Sequence, residues 1–207
     1  MRVVVLCFGD VLPESKRVLL ARTAFPRLLA QLLGNADDGT VSAAAEVVVA
    51  LCGSRDISEV CSALCEAGCV PTLVRSIASR SAEVRYRCLR AAVNLAGGDG
   101  AWDVECLLQP LRLSDSCECA VTVEAAFIAG GVVPCLVQTM QSDDARLREE
   151  AVKVLVNLSL GHGTAQTALS VFVVDHCVDV QKRRNRLLLR VVFYYRLCRL
   201  PMQLTTP

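Results

Sequence analysis

The chain has 207 residues, 53% of them apolar but only 4% aromatic, and carries a net charge of +1. That length suffices for one domain with a real core, and the overall charge gives no signal of nucleic-acid binding. The basic excess is confined to the end: Ala165–Pro207 holds seven Lys/Arg against two Asp, and the remainder is net acidic.

In chain order, Met1–Leu12 is apolar and stops at Pro13. It reads as a strand-like arm or as the end of a preceding helix, and residues 1–19 are set apart as an N-terminal arm. Glu14–Thr23 has helical character. Phe25–Leu33 follows with Pro26 near its start, and Thr40–Cys52 is a further helical run rich in alanine and valine. These segments make a first unit over residues 20–56. Ser58–Glu66 opens a second unit over 57–96.

The decisive feature is a repeat. Gly68–Leu95 reads GCVPTLVRSIASRSAEVRYRCLRAAVNL and Gly131–Leu158 reads GVVPCLVQTMQSDDARLREEAVKVLVNL; the two align without a gap at an offset of 63. Gly68/Gly131, Val70/Val133, Pro71/Pro134, Leu73/Leu136, Arg85/Arg148, Asn94/Asn157 and Leu95/Leu158 are among the identical pairs. Self-similarity of this kind decides the architecture before any local reading does. The glycine tolerates the backbone angles of a tight corner, and proline suits the first turn of a helix, where its missing N–H is not needed. Pro71–Ala78 and Pro134–Met140 are therefore expected as short helices. After a polar break at Ser79 and Ser142, Val84, Cys88, Ala91, Ala92 and Leu95 share one helical face, as do Leu147, Ala151, Val154, Leu155 and Leu158. Neither unit buries its apolar face alone, so stacking is the physical solution.

Between the copies, Gly97–Cys117 is surplus and is expected as an inserted loop (97–117), glycine-rich at its start. Cys119–Ala129 then supplies the first helix of a third unit over 118–163. Beyond Gly163 the pattern stops. Residues 164–207 form a basic-apolar tail, read either as a divergent cap or as sequence outside the fold.

The glycine corner, the proline-opened helix and the Asn-Leu ending resemble the armadillo repeat, over roughly Leu20–Gly161. HEAT repeats are the nearest confusion, and the Gly-x-Val-Pro corner and Asn-Leu ending favour armadillo. The resemblance implies an all-α, armadillo-like right-handed solenoid of about three repeats. It implies further that the third helices line a concave face that binds extended peptides, with the asparagine near the helix end bonding the peptide backbone. That role carries over to Asn94 and Asn157; the first unit has Ala50 there. An amide both donates and accepts, so it suits a peptide unit of any sequence. The alternative is that each asparagine merely ends its helix.

Four residues earlier, where importin-alpha-type import adaptors carry tryptophan, this chain has Arg90 and Lys153. Residues four apart share a helix face, so these cations, with Arg87, suit an acidic ligand and a groove more like that of beta-catenin. Glu150 and Glu46 oppose the basic stripe, and a plain solvated face is the competing reading.

Twelve cysteines are present. Cys61, Cys65 and Cys69 recur at helical spacing and Cys88 lies in an apolar face, so they read as small buried hydrophobes. Met1–Gly9 is too short for a signal peptide. Reduced thiols and a cytoplasmic or nuclear location are expected. Cys117-Glu-Cys119 and the Cys61 series lack the spacing of structural zinc, and His162 and His176 have no catalytic companions. No enzyme, metal or cofactor is expected. The function expected is a non-catalytic scaffold that binds an acidic extended segment of a protein partner. The rivals are an import-type adaptor for basic peptides and a scaffold attached to a membrane through Arg186–Leu200. Self-association through an exposed end of the stack is a further option.

Overall fold

Gly68 and Gly131 hold the backbone in the left-handed region, at φ 82° and 74°. Each closes a corner that no β-carbon-bearing residue adopts without strain. The helix before each glycine and the helix after it meet at the same bend, 76° at both corners. The duplicated sequence therefore builds a duplicated shape.

The computed structural model of the chain describes residues 24–52, 58–97 and 118–160, and these contain helices and turns but no strand. The first unit supplies α1 (Phe25–Leu33) and α2 (Asp38–Cys52). The second supplies α3 (Ser58–Glu66), α4 (Cys69–Ile77) and α5 (Ala82–Ala96). The third supplies α6 (Glu118–Ala129), α7 (Val132–Met140) and α8 (Ala145–Leu160). The short helices α4 and α7 begin two residues before Pro71 and Pro134, earlier than the sequence suggests. The first turn of a helix leaves its N–H groups without intrahelical partners, so proline at its third position costs nothing there.

The long helices start on side-chain caps. The Asp37 carboxylate accepts from the Thr40 N–H and hydroxyl, both at 2.7 Å. The Ser81 hydroxyl accepts from the Val84 N–H at 3.4 Å, and Asp144 accepts from the Arg146 N–H at 2.9 Å. Each satisfies a donor that the helix itself leaves orphaned.

Equivalent helices stack on one another. α2, α5 and α8 pack side by side, α4 lies against α1 and α7, and α3 lies against α6. This is the stacked all-α solenoid that the repeat requires. Its core is continuous through the three units, from Leu29 and Leu51 through Leu73 and Leu89 to Leu136 and Leu147. Polar side chains also cross between units: the Ser76 hydroxyl donates to the Leu33 carbonyl at 3.1 Å. Cys61, Cys69 and Cys88 are buried in the same core, and burial pushes the thiols of Cys65, Cys69 and Cys88 up to about 12. They behave as the small hydrophobes that their spacing suggests.

One core position breaks the pattern. Glu124 on α6 is 5% exposed. Sixty-three residues earlier the same position holds Cys61, also buried, with its sulfur 3.9 Å from the Leu95 carbonyl. The third unit thus places a carboxyl where the second has a thiol. Burial alone raises it from the ordinary glutamate value of 4.5 to about 7.

Among the described residues no single helix is long and apolar enough to cross a membrane. The expected arm (1–19), the inserted loop after Gly97 and the basic-apolar tail (164–207) lie outside the described residues.

Candidate functional site

The layer of long helices carries every residue expected to contact a peptide: Asn94, Asn157, Arg87, Arg90 and Lys153. On α5 the half-buried and exposed positions Glu83, Tyr86, Arg87, Arg90 and Asn94 follow one another at helical spacing. On α8 the equivalent stripe is Arg146, Glu149, Glu150, Lys153 and Asn157, and on α2 it contains Glu46. The repeat thus brings Asn94, Asn157, Arg87, Arg90 and Lys153 onto one face, as their spacing implies.

Their bonding differs from the expectation. The Asn94 amide donates from Nδ2 to the Val49 carbonyl on α2, at 3.2 Å. Asn157 donates in the same way to the Val93 carbonyl on α5, at 2.8 Å. Each asparagine directs its donor to the unit before it. Asn94 remains half-buried, but Asn157 is only 4% exposed, and its Oδ1 is buried without a hydrogen-bond partner among the described residues. The two amides are therefore staples between successive units. Asn157 in particular does not stand open at the surface.

The cations are similarly engaged. Arg87 lies between two carboxylates, paired with Glu46 of α2 and with Glu83 one turn back on its own helix at 2.6 Å. The hydrogen bond to Glu83 raises the guanidinium above its ordinary value, against the opposing effect of burial, and Glu46 adds to the rise. Lys153 meets Glu150 at 2.8 Å and Glu149 at 2.9 Å. Burial draws its ammonium down, but the bonds to Glu150 and Glu149 outweigh that and hold it above the usual lysine value. The stripe expected to be cationic is thus charge-balanced. Glu46, Glu83, Glu149 and Glu150 match Arg87, Arg90, Arg146 and Lys153 in number. The reason is geometric: Glu83 one turn back and Glu46 on the neighbouring helix reach Arg87, and Glu149 and Glu150 one turn back reach Lys153.

Arg90 differs from the other two. Its guanidinium lies 5.9 Å from the Tyr86 ring centroid, and among the described residues it has no carboxylate partner. Arg146 reaches the same ring from α8 at 5.2 Å, so Tyr86 joins α5 to α8 through its π-face. Sequence reasoning missed this aromatic. A lone tyrosine on a polar stripe, one turn before an arginine, was the available signal. Among the described residues no group of His, Cys, Asp or Glu is placed to hold a metal ion.

Comparison with known proteins agrees with this geometry. Residues 131–160 match the model of the armadillo/beta-catenin-like repeat. No curated protein matches the chain. Among solved structures, it resembles an engineered protein from the Northeast Structural Genomics Consortium at 19% identity and TM-score 0.63, over 83% of this chain and 60% of that one. The chain thus spans less than two thirds of that structure. It is also similar to a designed armadillo repeat protein in complex with the peptide (KR)4, at 17% identity and TM-score 0.46, over 94% of this chain and 90% of that one. A computationally designed armadillo repeat protein for modular peptide recognition follows at 18% identity and TM-score 0.42, over 90% and 86%. Residues 131–160 of the third unit are thus similar in sequence to an armadillo repeat, and the stack that contains them is an all-α solenoid.

Proposed function

We propose that the chain is a non-catalytic protein-interaction scaffold, and that the polar face of α2, α5 and α8 receives an extended segment of a protein partner. The observation that carries this is Arg90: a half-buried cation in the middle of that face, stacked near Tyr86 and without a carboxylate of its own among the described residues. A partner's Asp or Glu supplies the missing charge there. At Arg87 and Lys153 an acidic guest has to exchange with carboxylates already in place; the exposed ones, Glu83 and Glu149, make pairs worth about 0–1 kcal/mol each, so exchange with them is feasible. The preference for acidic segments is therefore modest and centred on Arg90. Because it is electrostatic, it weakens with added salt.

Binding of acidic and basic extended peptide libraries, followed by fluorescence polarisation, tests the reading. An acidic preference that Arg90→Glu reverses supports it. A preference for the basic library, or indifference to Arg90→Glu, overturns it and favours an import-type adaptor. Vesicle co-sedimentation of the intact protein, with anionic lipid, separates the membrane-scaffold reading from both.

A further inference from the structure

The two joints between the long helices follow one plan. α2, α5 and α8 start at Asp38, Ala82 and Ala145, each directly after its capping side chain. Offsets of 44 and 63 residues therefore carry one long helix onto the next. The staples obey the same register: Val49 and Val93 are equivalent acceptors, and Asn94 and Asn157 equivalent donors. The joint between α2 and α5 also carries an ion pair, Glu46 with Arg87. At the joint between α5 and α8 the equivalent positions hold Arg90 and Glu150. The second joint thus repeats the pair with its charges exchanged. Yet the two side chains do not meet. Arg90 lies 5.9 Å from the Tyr86 ring centroid, and Glu150 turns to Lys153 on its own helix at 2.8 Å.

We propose, resting on the reading of Arg90 as the anchor for an acidic guest, that Lys153 is a positioning residue. It keeps Arg90 open by occupying Glu150, the acid that the joint otherwise supplies to Arg90. Lys153 already meets two carboxylates, Glu149 and Glu150, so a third from the guest adds little there. The Glu150 side chain is 12% exposed, against 32% for Glu46. A carboxylate so poorly solvated cannot be left without a cation at small cost. Without the Lys153 ammonium, two cations stand near Glu150 in register. Arg146, one turn back, is held by Asp144 at 3.2 Å and by the Tyr86 ring. Arg90, across the joint, has no carboxylate to give up. The pair that then forms is the counterpart of Glu46 with Arg87, and it closes Arg90 to the guest.

The first test needs no guest. A double-mutant cycle of Arg90→Gln and Glu150→Gln is read by urea unfolding of the full chain, once with Lys153 and once with Lys153→Gln. With Lys153 the two substitutions should combine additively. Without it they should be coupled by roughly threefold in the unfolding constant, the scale of a partly exposed ion pair. Additivity in both backgrounds overturns the inference, as does equal coupling in both. Lys153→Met, which keeps the apolar stem, takes the place of Lys153→Gln should that variant not fold. The second test follows an acidic extended peptide by fluorescence polarisation. Lys153→Gln should weaken binding, and adding Glu150→Gln should recover most of the loss, but not once Arg90→Gln is present. Recovery that survives Arg90→Gln identifies plain repulsion of the guest by Glu150; no recovery identifies direct contact of Lys153 with the guest. Either result overturns the inference and leaves the acidic-guest reading standing. An unsubstituted protein that binds no acidic peptide is a different failure: that reading falls, and the role of Lys153 falls with it.

Discussion

Glu124→Gln is the sharpest probe of the packing. Glu124 is 5% exposed, and burial alone lifts its carboxyl from 4.5 to about 7. In the unfolded chain it titrates near the ordinary value; in the folded chain it holds its proton to about neutrality. A carboxyl whose folded value is raised favours the folded state when protonated. Its contribution is thus fully present below about pH 4.5 and is lost as pH rises to about 7. Every tenfold gain in proton affinity on folding is worth about 1.4 kcal/mol, so the full swing is on the order of 3 kcal/mol. Glutamine keeps the shape and removes the titration. Urea unfolding of both proteins, followed by far-UV circular dichroism from pH 5 to pH 8, should show a stability difference that moves in favour of Glu124→Gln as pH rises. A difference independent of pH across that range would refute the reasoning, because the carboxyl would then be solvated or paired.

Asn157→Ala should cost about 0.5–1.5 kcal/mol in urea unfolding, because it removes the bond to the Val93 carbonyl, which keeps the bond from the Gly97 N–H. Asn94→Ala should cost less, its amide being half-buried; equal costs for the two would contradict the burial difference. Gly68→Ala and Gly131→Ala should each cost about 1–2 kcal/mol through the left-handed backbone. No other atom lies within 4 Å of an added β-carbon at either corner, so a much larger loss in thermal melting would point to a clash that the geometry lacks. Asp37 and Asp144 accept cap bonds that lower their carboxyls below the usual 3.8, from the Thr40 side chain first and from the Arg146 side chain first. Lowered carboxyls stabilise above their unfolded value and lose that contribution as pH falls through the folded one. Asp37→Asn with Asp144→Asn should therefore blunt the loss of stability below about pH 4, as read by acid titration of helicity.

What was legible in the sequence was local. The Gly-x-Val-Pro corner sets backbone angles within a few residues; the helices it opens start two residues earlier than the pattern places them, whereas Phe25–Leu33 and Ser58–Glu66 match to the residue. Helical spacing also put Asn94, Arg90 and their counterparts on one face. It did not reveal what lies opposite that face. Asn157 finds its acceptor 64 positions away, and Arg87 finds Glu46 across 41. Such pairings depend on how units register against each other, and periodicity within one unit carries no trace of that. Glu124 was findable: aligned at the repeat offset it falls on Cys61, in a run that must face inward.

The asparagine staples give the stack a direction. The middle long helix, α5, sends the Asn94 donor to the α2 backbone beneath it and offers its own Val93 carbonyl to Asn157 of α8 above. A copied block therefore arrives already equipped to join its template, with the matching halves of the joint on opposite sides. Growth by duplication of the coding segment needs no new chemistry at the seam, and lengthening such a protein is easier than inserting into its middle.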